Sequence, residues 1–185
     1  MKPTNRQPLF IITGASCVGK STLCEQLFIH EKDYIVMESD LLWNEVYNTP
    51  GDDYCAYRRL WMRTCACISQ IGKPVVLCGC AVPKQFENHP EREWFSDIYY
   101  LAVVCEDTAL EERMRNGRRV TDEDWIKSSL SFNGWLKENA AMTSPPVTLL
   151  DTSGLSPEQA SEMAHHWITG KMGKHELQER AKGAI

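Results

Sequence analysis

The sequence predicts an α/β fold: a parallel sheet with helices on both faces. Three observations lead there. Short apolar runs recur along the chain, longer stretches of helical periodicity separate them, and turn-forming residues mark the boundaries. The runs at residues 9–13, 34–38, 75–80, 98–105 and 147–150 are nearly continuous in apolar side chains. Strands of that kind are buried on both sides, as when helices cover a parallel sheet. Helices are expected at 20–30, 53–71, 108–116, 122–139 and 157–169. The second carries Tyr54, Tyr57, Leu60, Trp61, Cys65, Ile68 and Ile71 at three- and four-residue steps, with Arg58, Arg59 and Arg63 off that stripe. Strands alternating with helices build βαβ units with right-handed crossovers.

Local chemistry supports these boundaries. Asn48-Thr49-Pro50-Gly51 is a turn, after which Asp52 or Asp53 is expected to cap a helix. Gly72 ends that helix, with Pro74 just beyond. Thr121 and Asp124 loosely resemble a capping box, and Ser144-Pro145-Pro146 breaks the chain before the last strand. The length suits one domain, residues 1–169, followed by a polar tail at 170–185.

Composition excludes several classes. A net charge of −5 disfavours general affinity for nucleic acid or an anionic membrane. No stretch approaches the length of a membrane span, and Met1 to Pro8 lacks an apolar leader core, so a cytoplasmic protein is expected. Eight cysteines fit that compartment if reduced. Cys65/Cys67 and Cys78/Cys80 have one residue between partners, too few for a usual structural zinc site. Cys65 and Cys67 would diverge on a helix, whereas Cys78 and Cys80 are expected to share one strand face as small apolar residues.

The strongest motif is Gly14-Ala15-Ser16-Cys17-Val18-Gly19-Lys20-Ser21, which matches G-x-x-x-x-G-K-[ST] at every fixed position, between a strand and a helix. Glycines let backbone N–H groups converge on phosphate oxygens at a helix N-terminus. Lys20 reaches the β- and γ-phosphates, and the Ser21 hydroxyl ligates Mg²⁺, with Thr22 following in the first helical turn. ATP and Mg²⁺ are therefore the expected cofactors. Cys17 lies inside the loop, where oxidation would block nucleotide binding. The stretch Asp151-Thr152-Ser153-Gly154 has the D-x-x-G form of a GTPase switch, but it follows the last strand, and no N-K-x-D occurs.

With these motifs the chain resembles the small-molecule branch of P-loop kinases, which includes adenylate, shikimate and gluconate kinases and the chloramphenicol phosphotransferases. It is similar also to bacterial P-loop proteins labelled nucleoside kinases or AAA-family ATPases, through Leu77 to Cys80, Pro90-Glu91-Arg92, Phe132 to Leu136 and Leu150-Asp151-Thr152. The resemblance spans residues 9 to about 169. It implies a five-stranded sheet of order 2-3-1-4-5, a short lid, and ligands at the carboxyl ends of the strands.

The resemblance also implies roles. Asp40, after the second strand, would bind the acceptor hydroxyl as a base or through Mg²⁺; the competing role is to cap a helix starting at Leu41. Glu38 is the weaker candidate. Arg113, Arg118 and Arg119 would lie over the triphosphate, with Gly117 as a joint for lid closure. Their alternative is a solvated face of pairs such as Glu111 with Arg115. Arg58 and Arg59 lie on the helix that walls the acceptor site in such kinases, where an arginine would hold an acceptor anion. Gly79 would permit close approach of a ligand. Trp43 and Tyr47 are candidates for the pocket wall, with core packing favoured for Trp43. Residues 151–154, Thr152 among them, would wrap adenine. The expected partners are a nucleoside triphosphate and a small-molecule acceptor, a nucleoside or nucleotide first and a sugar acid or antibiotic next. No nucleic acid or membrane partner is expected, and the protein would act as a monomer or homodimer. The competing class is a regulatory nucleotide-binding ATPase without an acceptor; a nucleic-acid machine is disfavoured by the acidic balance.

Overall fold

The computed structural model describes residues 6–30 and 32–182, with side chains described through residue 173. The expectation of no leader at residues 1–8 falls mostly outside the described residues. Five strands, β1 (Leu9–Thr13), β2 (Ile35–Glu38), β3 (Val75–Cys78), β4 (Ile98–Val104) and β5 (Thr148–Asp151), form one parallel sheet. Its order is β2-β3-β1-β4-β5, as the resemblance implied. Between them lie α1 (Lys20–Leu27), α2 (Cys55–Ile68), α3 (Pro83–Glu87), α4 (Asp107–Glu112), α5 (Glu123–Asn139) and α6 (Pro157–Lys182). No helix among the described residues is long and apolar enough to cross a membrane.

The period-2 geometry of each strand divides the core into two layers. Phe10, Ile12, Val76, Leu101 and Val103 face one way and pack on Leu23 and Leu27 of α1 and Ala160, Ala164 and Ile168 of α6. Leu9, Ile11, Leu77, Tyr100 and Ala102 face the other way onto Trp61, Met62 and Cys65 of α2 and Leu136 of α5. Each fully buried Leu or Ile contributes on the order of 1.5–3 kcal/mol, which explains why the apolar runs are continuous rather than alternating.

Several boundaries differ from expectation. No α-helix begins at Leu41: Ser39–Leu42 is a single 3₁₀ turn, followed by further 3₁₀ turns at Glu45–Tyr47 and Pro50–Asp52. Asp40 is therefore inside a turn and caps no helix. Neither Asp52 nor Asp53 caps α2; Tyr54 holds the cap position, with no side-chain bond. Asp122, not Thr121, caps α5, accepting from the backbone N–H of Asp124 and Trp125. The expected helix over 108–116 changes from α to a π turn at Arg113–Gly117. The last helix continues beyond Thr169 to Lys182. Cys65 is buried and Cys67 exposed, but Cys78 and Cys80 do not share a strand face. The strand stops at Cys78, and Cys80 turns away so that its Sγ donates to the Gly14 carbonyl at 3.1 Å.

Two contacts fix the carboxyl edge of the sheet. The buried Thr13 hydroxyl donates to Ala81 O at 2.7 Å and accepts from Ala81 N at 2.9 Å, joining the end of β1 to the segment after β3. Beside it, Ser39 packs onto Gly79 so closely that a Cβ on residue 79 would lie 2.2 Å from Ser39 Oγ and 3.0 Å from Ser39 Cβ. The missing side chain at residue 79 makes room for Ser39 at the end of the strand. Gly79→Ala is expected to lose about 1–3 kcal/mol in urea unfolding by overpacking, and the added Ser39→Gly change should recover part of the loss. An unchanged midpoint for Gly79→Ala would show that Ser39 does not depend on the missing side chain.

On the opposite layer, α6 docks through His165, whose ring stacks on His30 at 3.6 Å and whose Nδ1 lies 3.0 Å from the Tyr34 hydroxyl. Burial, then the facing His30, depress His165 below the ordinary histidine value, outweighing Asp33 and Glu162, which pull the other way. A group depressed in the folded state gives stability that is present above its unfolded pKa, about 6.5, and is lost as pH falls through the folded value. The melting temperature should therefore drop more between pH 7.5 and 5.5 in the wild type than in His165→Gln. Equal drops would remove His165 from the pH dependence.

Candidate functional site

The phosphate loop joins β1 to α1 and turns on residues with positive φ: Gly14 at 153°, Cys17 at 64° and Gly19 at 114°. Gly14 is obligatory for a second reason, since a Cβ there would lie 2.5 Å from Val103 O. The Lys20 ammonium folds back over the loop and donates to the Gly14 and Ala15 carbonyls at 2.9 and 2.7 Å. Ser16, Cys17, Val18, Gly19, Lys20, Ser21 and Thr22 all line one cavity of about 470 Å³, and Ala15 packs beneath it in the core. The Ser21 hydroxyl donates to Glu38 Oε1 across the end of β2. Glu38, ranked second from the sequence, thus stands nearer the phosphate loop's hydroxyl than expected.

The arginines behind the loop separate cleanly. Arg113 Nη1 donates to Val18 O at 2.9 Å, and both Arg113 and Arg118 line the phosphate-loop cavity. Arg115 faces elsewhere: it is tied to Glu111 at 2.8 Å and held by Glu123 through two bonds of 2.6 and 2.8 Å. Arg119 lies outside that lining, at a positive φ of 54°. The π turn explains the division, because one extra residue per turn rotates Arg118 toward the cavity while Arg115 stays on the α5 side. Thr152 completes the far wall, its N–H and hydroxyl both donating to Val104 O. Trp125, the third residue of α5 and 43% exposed, adds a flat apolar face that the sequence pattern did not single out. A tryptophan left half-exposed at the start of a helix was the available signal.

A second cavity of about 440 Å³ opens at the ends of β2 and β3. Its wall is aromatic: Trp43, Tyr54, Tyr57, Trp61, Phe86 and Phe132. Trp43 is 44% exposed and meets Tyr57 edge-on at 5.2 Å, so it belongs to the wall rather than the core. Tyr47 stands behind, with its ring 5.5 Å from that of Tyr57. The Ser39 carbonyl accepts from both the Tyr57 hydroxyl and Trp61 Nε1. Burial raises the Tyr57 hydroxyl above its ordinary value and keeps it a donor. That pair of bonds fixes the chain next to Asp40, which accepts weakly from Ser39 Oγ at 3.3 Å.

The polar groups of this cavity are few. Arg58 and Gly79 both line it. Arg58 is 12% exposed and pairs with Asp53 at 3.0 Å, yet its Nε is buried with no hydrogen-bond partner. Arg59, one residue on, points away and donates to Glu91 at 2.7 Å. Gln85 of α3 bonds Asp53 at 3.0 and 3.2 Å and completes the polar rim. Gln85 was missed from the sequence because α3 is only five residues long and its pattern is too short to read, while Asp53 was read as a helix cap and Tyr54 and Tyr57 as part of a buried stripe. Asp40 and Cys80 line both cavities, so the two spaces meet at a carboxylate.

No family model matches this chain, and no curated protein matches it. Solved structures do. A gluconokinase from Sinorhizobium meliloti 1021 superposes with a TM-score of 0.64 at 16% identity, over 94% of this chain and 99% of that one. A sugar kinase from Janibacter sp. HTCC2649 gives 0.59 at 17%, over 89% and 95%. A shikimate kinase from Acinetobacter baumannii, in complex with shikimate, gives 0.55 at 12%, over 90% and 95%. The chain has the fold of the P-loop small-molecule kinases.

Proposed function

We propose that the protein transfers the γ-phosphoryl group of ATP to a hydroxyl of a small molecule, with a nucleoside or nucleotide as the acceptor. The observation that carries this reading is Asp40, a carboxylate on the shared wall of a phosphate-loop cavity and a second, aromatic cavity. Phosphoryl transfer needs little covalent help from the protein: it needs donor and acceptor in line, charge neutralised, and a base beside the acceptor hydroxyl. In this reading the loop amides and Lys20 hold the triphosphate, Arg113 and Arg118 neutralise the migrating charge, and Asp40 takes the hydroxyl proton. The Ser21 hydroxyl bonds Glu38 and lines the same cavity as Asp40, and these hard oxygens would suit Mg²⁺. When bound, the ion supplies charge neutralisation on the phosphates. Residues 152–157 would border the base, and Trp125 would stack on it. All eight cysteines are free thiols, which suits a reducing cytoplasm.

The second cavity supports this acceptor class. A wall of Trp43, Tyr54, Tyr57 and Phe132 suits a planar ring, and a buried Arg58 Nε without a partner suits an anionic group. A nucleotide supplies both. A sugar acid supplies only the anion; the fold shared with a gluconokinase makes it the second reading. A regulatory ATPase without an acceptor would not need the second cavity.

Lys20→Ala should lower kcat/KM by about 10²-fold or more by removing phosphate positioning. Asp40→Asn should lower kcat by about 10²–10⁴-fold while ATP affinity, followed by calorimetry, stays constant; an unchanged kcat would remove Asp40 from the chemistry. Arg58→Ala should raise KM by about tenfold or more for nucleotides and sugar acids but leave neutral nucleosides unaffected. ADP release is to be measured across nucleosides, nucleotides and sugar acids. If none raises it above the water background, the transfer reading falls.

A further inference from the structure

Outside both cavities, three side chains stand in the order nucleophile, imidazole, carboxylate. Cys55 opens the 14-residue helix α2 and is exposed. Its Sγ lies 3.7 Å from His89 Nε2. On the other side of the ring, His89 Nδ1 lies 2.7 Å from Glu91 Oε2, and both side chains are only 5% exposed. That contact is short but not aligned as a hydrogen bond. The second carboxylate oxygen of Glu91 accepts from Arg59 Nε at 2.7 Å. Burial opposes ionisation of Glu91, but the Arg59 bond and the charges of His89 and Arg59 outweigh it and hold the carboxyl below its ordinary value. A buried carboxylate in that state favours an imidazole that accepts a proton at its far nitrogen.

The buried thiols are the opposite case. Burial pushes Cys65 up to about 12. Cys78 is raised by its bond with Cys24 and by burial. Cys67 is exposed on the same helix as Cys55 and has no imidazole partner among the described residues.

We propose that Cys55, His89 and Glu91 form a base-assisted nucleophile that makes Cys55 a covalent modification site for low-molecular-weight disulfides. His89 Nε2 takes the thiol proton as Cys55 Sγ attacks one sulfur of the disulfide. The Sγ–S bond forms, the S–S bond breaks, and the departing thiolate takes the proton from His89. Cys55 is oxidised to a mixed disulfide, and one half of the reagent is reduced to a thiol. Displacement at sulfur develops no oxyanion, so these side chains suffice where acyl transfer would need further donors. The helix N-terminus favours the negative charge that passes through the sulfur. The adduct would grow beside Tyr54, on the rim of the aromatic cavity. This site stands on its own geometry and does not depend on the kinase reading.

The test is incubation of the full chain with glutathione disulfide at pH 7, with site-resolved mass spectrometry over time. Cys55 should form the mixed disulfide about tenfold or more faster than Cys67, and His89→Asn should bring it down to the Cys67 rate. Glu91→Gln gives a second variant should His89→Asn alter the circular dichroism spectrum. Iodoacetamide, which reads the same nucleophile without a disulfide, should show the same order. Equal rates at Cys55 and Cys67 in the wild type, or a folded His89→Asn variant that reacts as fast as wild type, would overturn the proposal.

Discussion

At the carboxyl end of β3 the chain passes directly beneath Ser39, and it can do so only because residue 79 carries no side chain. Most of the candidate site hangs from that contact. With Ser39 seated, its carbonyl receives Tyr57 and Trp61 from α2, which locks β2 to the helix that walls the aromatic cavity. Asp40, the next residue, is then delivered to the line where the two cavities meet. Thr13 does the same for the neighbouring strand end by bonding Ala81 twice. A parallel sheet brings all its carboxyl ends to one edge. These two close contacts set the distances along that edge.

The phosphate loop is constrained from behind as well as by its own turn. Gly14 lies against the backbone of Val103, so β4 sets how deep the loop sits. Lys20 caps the loop carbonyls, Cys80 bonds one of them, and Arg113 holds Val18 O from the opposite side. The cations are thus ordered by backbone carbonyls before any phosphate is considered. Such preorganisation would lower the cost of arranging charge around a bound anion.

Much of this was legible in the residues. Continuous apolar runs gave the strands, because burial on both faces of the central strands leaves no reason to alternate, although at the edge β5 leaves Leu149 exposed. The G-x-x-x-x-G-K-[ST] string located the loop, because its backbone demands glycine at positive φ and against Val103. Less was legible around Asp40. Residues 39–52 form only 3₁₀ turns, which lack a periodic signature, so a helix cap competed with the acceptor-site role for Asp40, and Trp43 read as core. The partners Gln85 and Asp53 stand 32 residues apart and meet only through tertiary packing.

The arginines show where the division falls. Sequence alone determined that cations cluster after the fourth strand and along the second helix, because composition and spacing are local properties. Composition and spacing alone could not decide the choice of Arg113 and Arg118 over Arg119, or of Arg58 over Arg59. Those choices depend on a one-residue π insertion and on the rotation of α2, which turn Arg118 and Arg58 into cavities while Arg59 meets Glu91. A helix face is fixed by what packs against it, and the packing partners come from distant parts of the chain. For the same reason the sequence determined the phosphate loop, while only the tertiary structure decided what lies across from it: a carboxylate shared with an aromatic cavity.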